Sequence, residues 1–218
     1  MKTNTLTTIW SKFASLLALI LLVGVVTVLN PAFLEPANLM NLLRQISING
    51  LIAFGMTFVI LTGGIDLSVG STLALTSALA AGMMVAGVDP ILTIFIAVLI
   101  GAILGAVNGL FIAKGKMAPF IVTLATMTIY RGLTLLYTEG KSITGFGDSY
   151  AFQLFGKGYF LGIPVPAVTM IIVFVVLWFM LHKMSFGRKT YAIGGNEKAA
   201  LISGIRVDRV KVMIYSIF

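Results

Sequence analysis

Long stretches of this chain are almost free of charged residues. Residues 13–29 form an uncharged, mostly apolar run of 17 residues, about 26 Å long as a helix at ~1.5 Å per residue, close to the thickness of a bilayer's hydrocarbon core. Comparable runs cover residues 45–62, 71–86, 91–113, 120–137 and 167–182, and another begins at Val212 and reaches Phe218. All six prolines, Pro31, Pro36, Pro90, Pro119, Pro164 and Pro166, fall outside these interiors, where a missing N–H costs least. The pattern predicts an all-α fold, a polytopic transmembrane helical bundle of about six spans plus the start of a seventh. The first run stops at Asn30-Pro31 without a small-residue cleavage site and further spans follow, which favours an uncleaved anchor over a secretory signal.

Composition narrows the class. Charged residues make up 10% of the 218, against about a quarter in a soluble domain, while 59% are hydrophobic and the mean hydropathy is +1.06. Too little polar surface is left to cover a globule in water. The absence of cysteine excludes a disulfide scaffold and thiolate metal ligands, and the single histidine, His182, excludes multi-histidine metal sites. No nucleophile–base pair, phosphate loop or metal cluster is readable, so no catalytic residue and no cofactor is expected.

The net charge of +8 could point to nucleic acid, but the 15 cations lie between apolar runs that belong in lipid. Their placement reads instead as topology. If Lys2 and Lys12 keep the N-terminus in the cytoplasm, the fourth and sixth spans must end inside, and they end at Lys114 and Lys116 and at a cluster of seven cations within residues 183–211. The segments around Glu35 and Asp89 and over residues 138–166, with Glu139, Lys141, Asp148 and Lys157, then face outward and are nearly neutral. Residues 30–38 and 138–166 form the expected outward docking surface.

Gly101, Gly105 and Gly109 recur every four residues, as do Ala74, Ala78, Gly82 and Ala86, two stripes that let helix backbones approach closely in lipid. Asn38, Asn41, Gln45 and Asn49 place four amides on one helix face. That face points either at protein or a water-filled path, where amides can exchange hydrogen bonds with the hydroxyls of a sugar, or at headgroup water as an interfacial helix. The stretch GGIDLSVGS over residues 63–71 should break the helix, and its carboxylate, Asp66, is either a functional group at membrane depth or a cap of the following helix in competition with Ser68 and Ser71. Asn108 is read as a helix–helix hydrogen bond, Arg131 as a snorkelling residue and His182 as interfacial.

Two stretches are more specific, GMTFVILTGGIDLSVGS at residues 55–71 and YAIGGNEKAALISGIRVDRVK at residues 191–211. Both resemble the ribose-type branch of the bacterial ATP-binding-cassette importer permeases. NLLRQISINGLIAFG, FIAKGKMAPFIVTLATM and RGLTLLYTEG extend the resemblance over nearly the whole chain from residue 29 onward. It implies a non-catalytic permease subunit in the bacterial inner membrane that works as a homodimer within the lipid. A periplasmic sugar-binding protein would deliver a monosaccharide, and a separate cytoplasmic ATPase subunit would drive transport. The stretch matching the family's ATPase-coupling segment is residues 194–204, with Gly194, Gly195, Asn196, Glu197, Ala199, Ala200 and Gly204 as the candidate coupling residues, within a cytoplasmic segment at 183–211 of a single permease domain over 1–218. Glu197, Ala199 and Ala200 are expected to begin a short helix that Gly204 ends. The resemblance also implies further spans beyond residue 218, so the sequence is expected to be incomplete at its C-terminus.

The candidate substrate path consists of Asn41, Gln45, Asn49 and Asp66. Two other classes stand beside the importer. An ion-coupled secondary carrier would use the broken helix at Asp66 as its site, and a non-transporting membrane scaffold would use the small-residue stripes for assembly alone.

Overall fold

The computed structural model describes residues 5–145 and 150–217; Lys2, Asp148 and Phe218, used in the topological argument above, lie outside the described residues. The chain divides into two compact units, Met1–Gln45 and Ile46–Phe218. The first contains α1 (Thr5–Leu29), a 3-10 turn (Pro31–Leu34) and the start of α2 (Pro36–Leu61). Asn30 caps the turn, its side-chain oxygen accepting from the N–H of Ala32 at 3.2 Å.

The second unit continues α2 and adds α3 (Val69–Val85), α4 (Pro90–Ala113), α5 (Pro119–Thr138), α6 (Tyr150–Lys157), a two-stranded hairpin of β1 (Tyr159–Phe160) and β2 (Ile163–Pro164), α7 (Val165–Lys183), α8 (Ser185–Gly195), α9 (Glu197–Ile202) and α10 (Val207–Ile217). Prolines open α2, α4 and α5 and occupy the second position of α7, where the absent N–H belongs to the unbonded first turn. Asp89 adds a cap to α4, accepting from the N–H groups of Ile91 and Leu92, both at 3.0 Å.

The chain forms the polytopic helical membrane bundle that its pattern predicts. Helices α2, α4, α5 and α7 are long and apolar enough to cross a bilayer, whereas Phe13–Leu29 and α3 are apolar but shorter. Large apolar side chains stand exposed along these helices, among them Ile91, Phe95 and Val98 on α4, an arrangement suited to lipid. Residues 183–211, expected as a loop with one short helix, are instead mostly helical. α8 and α9 occupy much of the segment, and α10 starts at Val207 and carries the cationic stretch into the apolar run without interruption.

Gly105 and Gly109 let α10 pack closely against α4. A Cβ on Gly105 would run into the backbone carbonyl of Tyr215, and one on Gly109 would lie 2.7 Å from the Cα of Val212, so α10 rests directly on the backbone of α4. Gly82 of α3 receives the hydroxyl end of Tyr137. Gly82, Gly105 and Gly109 thus serve close helix packing in this structure.

One apolar cluster ties together the helix ends that parity places on a single side. Phe58 and Val59 near the end of α2, Ile112 near the end of α4 and Val122 near the start of α5 pack with Phe186 and Ile193 of α8, Ala200 of α9 and Ile214 of α10. Lys116, after α4, pairs with Asp208 of α10 at 3.4 Å on the same end. The ends of α2 and α4 and the start of α5 therefore share one end with the basic segment.

Candidate functional site

α2 stops because its last turn is closed by glycine. Gly63 has φ +74°, a left-handed conformation that glycine adopts without a Cβ penalty. The N–H of Gly64 donates to Val59 O at 3.0 Å and that of Gly63 to Ile60 O at 2.9 Å, the paired bonds of a Schellman cap. The chain then crosses residues 65–68 before α3 begins. Asp66, 4% exposed, holds this break: one carboxyl oxygen accepts from the Ser68 N–H at 2.8 Å and from the Ser68 hydroxyl at 2.6 Å. Ser68 caps α3 by position but makes no side-chain cap bond, because its hydroxyl is committed to Asp66. Asn108 of α4, fully buried, donates to the same hydroxyl at 2.8 Å, while its own side-chain oxygen has no partner. The predicted helix–helix bond of Asn108 is thus a bond from α4 to the break.

A cavity of about 660 Å³ opens beside the break between α3, α4 and α10. Asp66, Ser68, Thr72, Thr76, Ser77 and Ser216 supply polar groups to its wall, and Leu73, Val98 and Ala102 are among its apolar lining. Its volume and mostly apolar wall with a few convergent polar groups fall in the range of small-molecule sites.

The four amides of α2 are placed as follows. Asn38 donates to Phe33 O at 2.7 Å and secures the 3-10 turn, and Asn41 accepts from Arg44 at 3.0 Å. Gln45 and Asn49 are exposed. Asn49 precedes Leu61 by roughly three turns, about 18 Å along α2, and is not part of the cavity wall.

At the gathered helix ends, α9 is a six-residue helix closed at both ends. Asn196, in extended conformation, accepts from the Ala199 N–H at 3.0 Å. Gly204, at φ +82°, ends it, with Ile205 N donating to Ala200 O at 3.1 Å and Gly204 N to Leu201 O at 3.0 Å, a second Schellman cap. The expected boundaries of this helix are observed, while Gly194 and Gly195 belong to the end of α8. Glu197 is paired with Lys211 of α10 at 2.8 Å. Ala200 points into the core at 4% exposure, and Leu201 and Ile202 stand out at 63% and 87%. Exposed Arg188, Lys189, Lys198, Arg206 and Arg209 belong to the same segment.

A family profile described as branched-chain amino acid transport system / permease component matches residues 38–218. The chain belongs to this permease family. It is 67% identical over 209 residues to the ribose import permease protein of Bacillus subtilis (strain 168), a match covering 96% of this chain and 65% of that protein. Identity to the ribose import permease protein of Haemophilus influenzae (strain ATCC 51907 / DSM 11121 / KW20 / Rd) is 50%, over 93% of this chain and 64% of the relative. The D-allose transport system permease protein of Escherichia coli (strain K12) is 42% identical, over 91% and 61%. The chain therefore spans 61% to 65% of the length of these relatives. No solved structure matches it.

Within this permease, sequence reasoning missed Ser68 and Asn108 as parts of the break, and it placed Leu201 and Ile202 in the coupling stretch without singling them out. Leu201 and Ile202 carried a usable signal, two large apolar residues in a short helix within a cation-rich segment. The Ser68–Asn108 bond joins residues far apart in sequence and had no local signal.

Proposed function

We propose that this permease is the membrane-spanning subunit of an ATP-driven importer of a monosaccharide of the ribose type. The observation that carries this reading is α9, a capped helix presenting Leu201 and Ile202 to the outside among exposed cations, at the end of the bundle where the basic segment gathers. Such an apolar patch with a basic rim fits a protein partner, and the resemblance supports a cytoplasmic ATPase subunit as that partner. Gly195, Asn196, Glu197, Ala199 and Gly204 shape or flank that docking surface, and Ala200 seats it on the core.

The likeness to ribose and allose permeases supports a sugar substrate. The remaining assignments complete the reading: no catalysis in this subunit, the bacterial inner membrane with the N-terminus in the cytoplasm, a second permease copy, and a periplasmic sugar-binding protein docking on residues 30–38 and 138–166. The sugar passes the polar groups of α2 and the break, with Asn41, Gln45, Asn49 and Asp66 as its candidate partners. Weak, replaceable hydrogen bonds suit passage, because tight binding at mid-membrane slows release.

Reconstitution tests the class. Permease, ATPase and binding protein in vesicles should take up ribose or a related sugar only with ATP inside the compartment that faces α9. Uptake that persists without ATP and collapses with an ion gradient would identify a secondary carrier instead.

A further inference from the structure

Gly194 and Gly195 are neighbours at the end of α8, yet their surroundings differ. A Cβ on Gly194 would run into the carbonyl oxygen of Leu61, with the Leu61 carbonyl carbon at 3.0 Å and the Thr62 Cα at 3.7 Å. A Cβ on Gly195 would meet nothing within 4 Å. The sequence treats the two glycines alike, and the structure separates them.

Leu61 is the last residue of α2, and the glycine turn leading to Asp66 follows it directly. The backbone of α8 therefore touches the backbone of α2 at the point where the break begins. Contact between two backbones cannot be relaxed by a change of rotamer, so a shift of one segment moves the other. Ile193, 3% exposed, fastens α8 beside Gly194 to the core that contains Phe58 and Val59. The break is also confined on its far side. A Cβ on Gly64 would lie 2.6 Å from the Tyr215 hydroxyl and 3.1 Å from a methyl of Val59, so this part of the turn has little room to absorb a displacement locally.

We propose that Gly194 is a positioning residue that passes displacement of the docking segment to the Asp66 break, while Gly195 belongs to the surface that meets the partner. The inference rests on the reading that α9 docks an ATPase. It assigns the two halves of one glycine pair to different tasks.

The chain has no cysteine, so Leu67→Cys places a single thiol in the break, at a residue 37% exposed. Its labelling rate with a maleimide is measured in the reconstituted permease–ATPase complex, with and without a non-hydrolysable ATP analogue. The rate is expected to change severalfold on nucleotide binding in the otherwise native protein and after Gly132→Ala, a control on α5 where a Cβ meets nothing within 4 Å, whereas Gly195→Leu is expected to weaken ATPase co-purification. Gly194→Ala is expected to abolish that change while the ATPase still co-purifies.

Nucleotide-dependent labelling that survives Gly194→Ala overturns the inference, as does loss of ATPase co-purification in that variant, which would place Gly194 on the docking surface. If Gly194→Ala does not accumulate, Ile193→Ala loosens the same seating from inside the core. It should retain the ATPase and cut the labelling response at least by half, and an undiminished response overturns the proposal. Failure of the otherwise native Leu67→Cys permease to retain the ATPase is read before any labelling and overturns the docking reading itself.

Discussion

Asp66 accepts two hydrogen bonds from one residue, Ser68, through its N–H at 2.8 Å and its hydroxyl at 2.6 Å. Both residues are buried, so this carboxyl oxygen takes the place of water for a backbone donor with no helical partner. Asp66→Asn keeps an oxygen at that position and should leave thermal stability in detergent nearly unchanged. Asp66→Ala leaves the Ser68 N–H unpaired and should cost about 1–3 kcal/mol. Equal losses in the two variants would show that the charge, and not the acceptor, holds the break.

The glycines of α4 make a graded prediction. Gly105→Ala forces its Cβ against the Tyr215 carbonyl, whereas Gly101→Ala meets only a Thr76 methyl at 3.8 Å, an ordinary contact. Overpacking of this kind costs about 1–3 kcal/mol, so Gly105→Ala should lower the thermal midpoint clearly while Gly101→Ala leaves it within the error of the native protein. Matched midpoints would mean that α10 can lift from α4 without loss.

Much of the architecture was legible because bilayer crossing imposes a simple rule, uncharged runs bounded by prolines, and α4 and α5 begin at Pro90 and Pro119 as that rule requires. The ends of α9 were legible too, since Gly204 and the polar Asn196 are local cap signals. Helix α8 and the first residues of α10 were not legible, although the run from Val212 marked the rest of α10 as the start of a span. Their inward residues, Phe186 and Ile193 on α8 and Val210 on α10, are interspersed with cations and read as a loop until the core they share is seen. Orientation within α9 was equally hidden: six residues are too few for periodicity to choose a face, and contact with the core places Ala200 inside and Leu201 outside. The bond from Asn108 to Ser68 depends on how α4 packs, which no window of sequence contains.

Leu201 and Ile202 should carry the partner contact. Each exposes a large apolar surface, so Leu201→Ser and Ile202→Ser should leave the stability of the isolated permease within about 0.5 kcal/mol. Association with the ATPase should weaken by about tenfold for each, some 1.4 kcal/mol, as read by co-sedimentation or surface-immobilised binding. A bulky residue at the buried Ala200 should instead lower stability, and the contrast separates docking from folding. Unchanged association in both serine variants would remove α9 as the docking element.

The pair of Glu197 and Lys211 joins α9 to α10 at 2.8 Å, with the carboxylate side chain 48% exposed. A pair this open to solvent contributes at most about 1 kcal/mol, and salt screens it. Glu197→Gln should therefore reduce ATPase association only severalfold at low salt, with the difference shrinking as salt rises. A loss larger than that of Ile202→Ser would mean that Glu197 meets the partner directly and not only Lys211.

Asn49 tests whether the amide face of α2 belongs to the sugar's path. Its side chain is exposed and roughly three turns from the break, so removing its amide leaves the break's hydrogen bonds intact. Asn49→Leu preserves helix propensity and side-chain bulk while deleting both the donor and the acceptor a sugar hydroxyl could use. If the path runs along this face, sugar flux per permease molecule should fall about tenfold, because one lost hydrogen bond to the moving sugar is worth about 1 kcal/mol or somewhat more. Membrane abundance and ATPase co-purification should stay at native levels, which separates transport from assembly. Native flux in Asn49→Leu, together with reduced flux in Ser77→Ala on the cavity wall, would place the path in the cavity beside Asp66 and leave the amides to headgroup water.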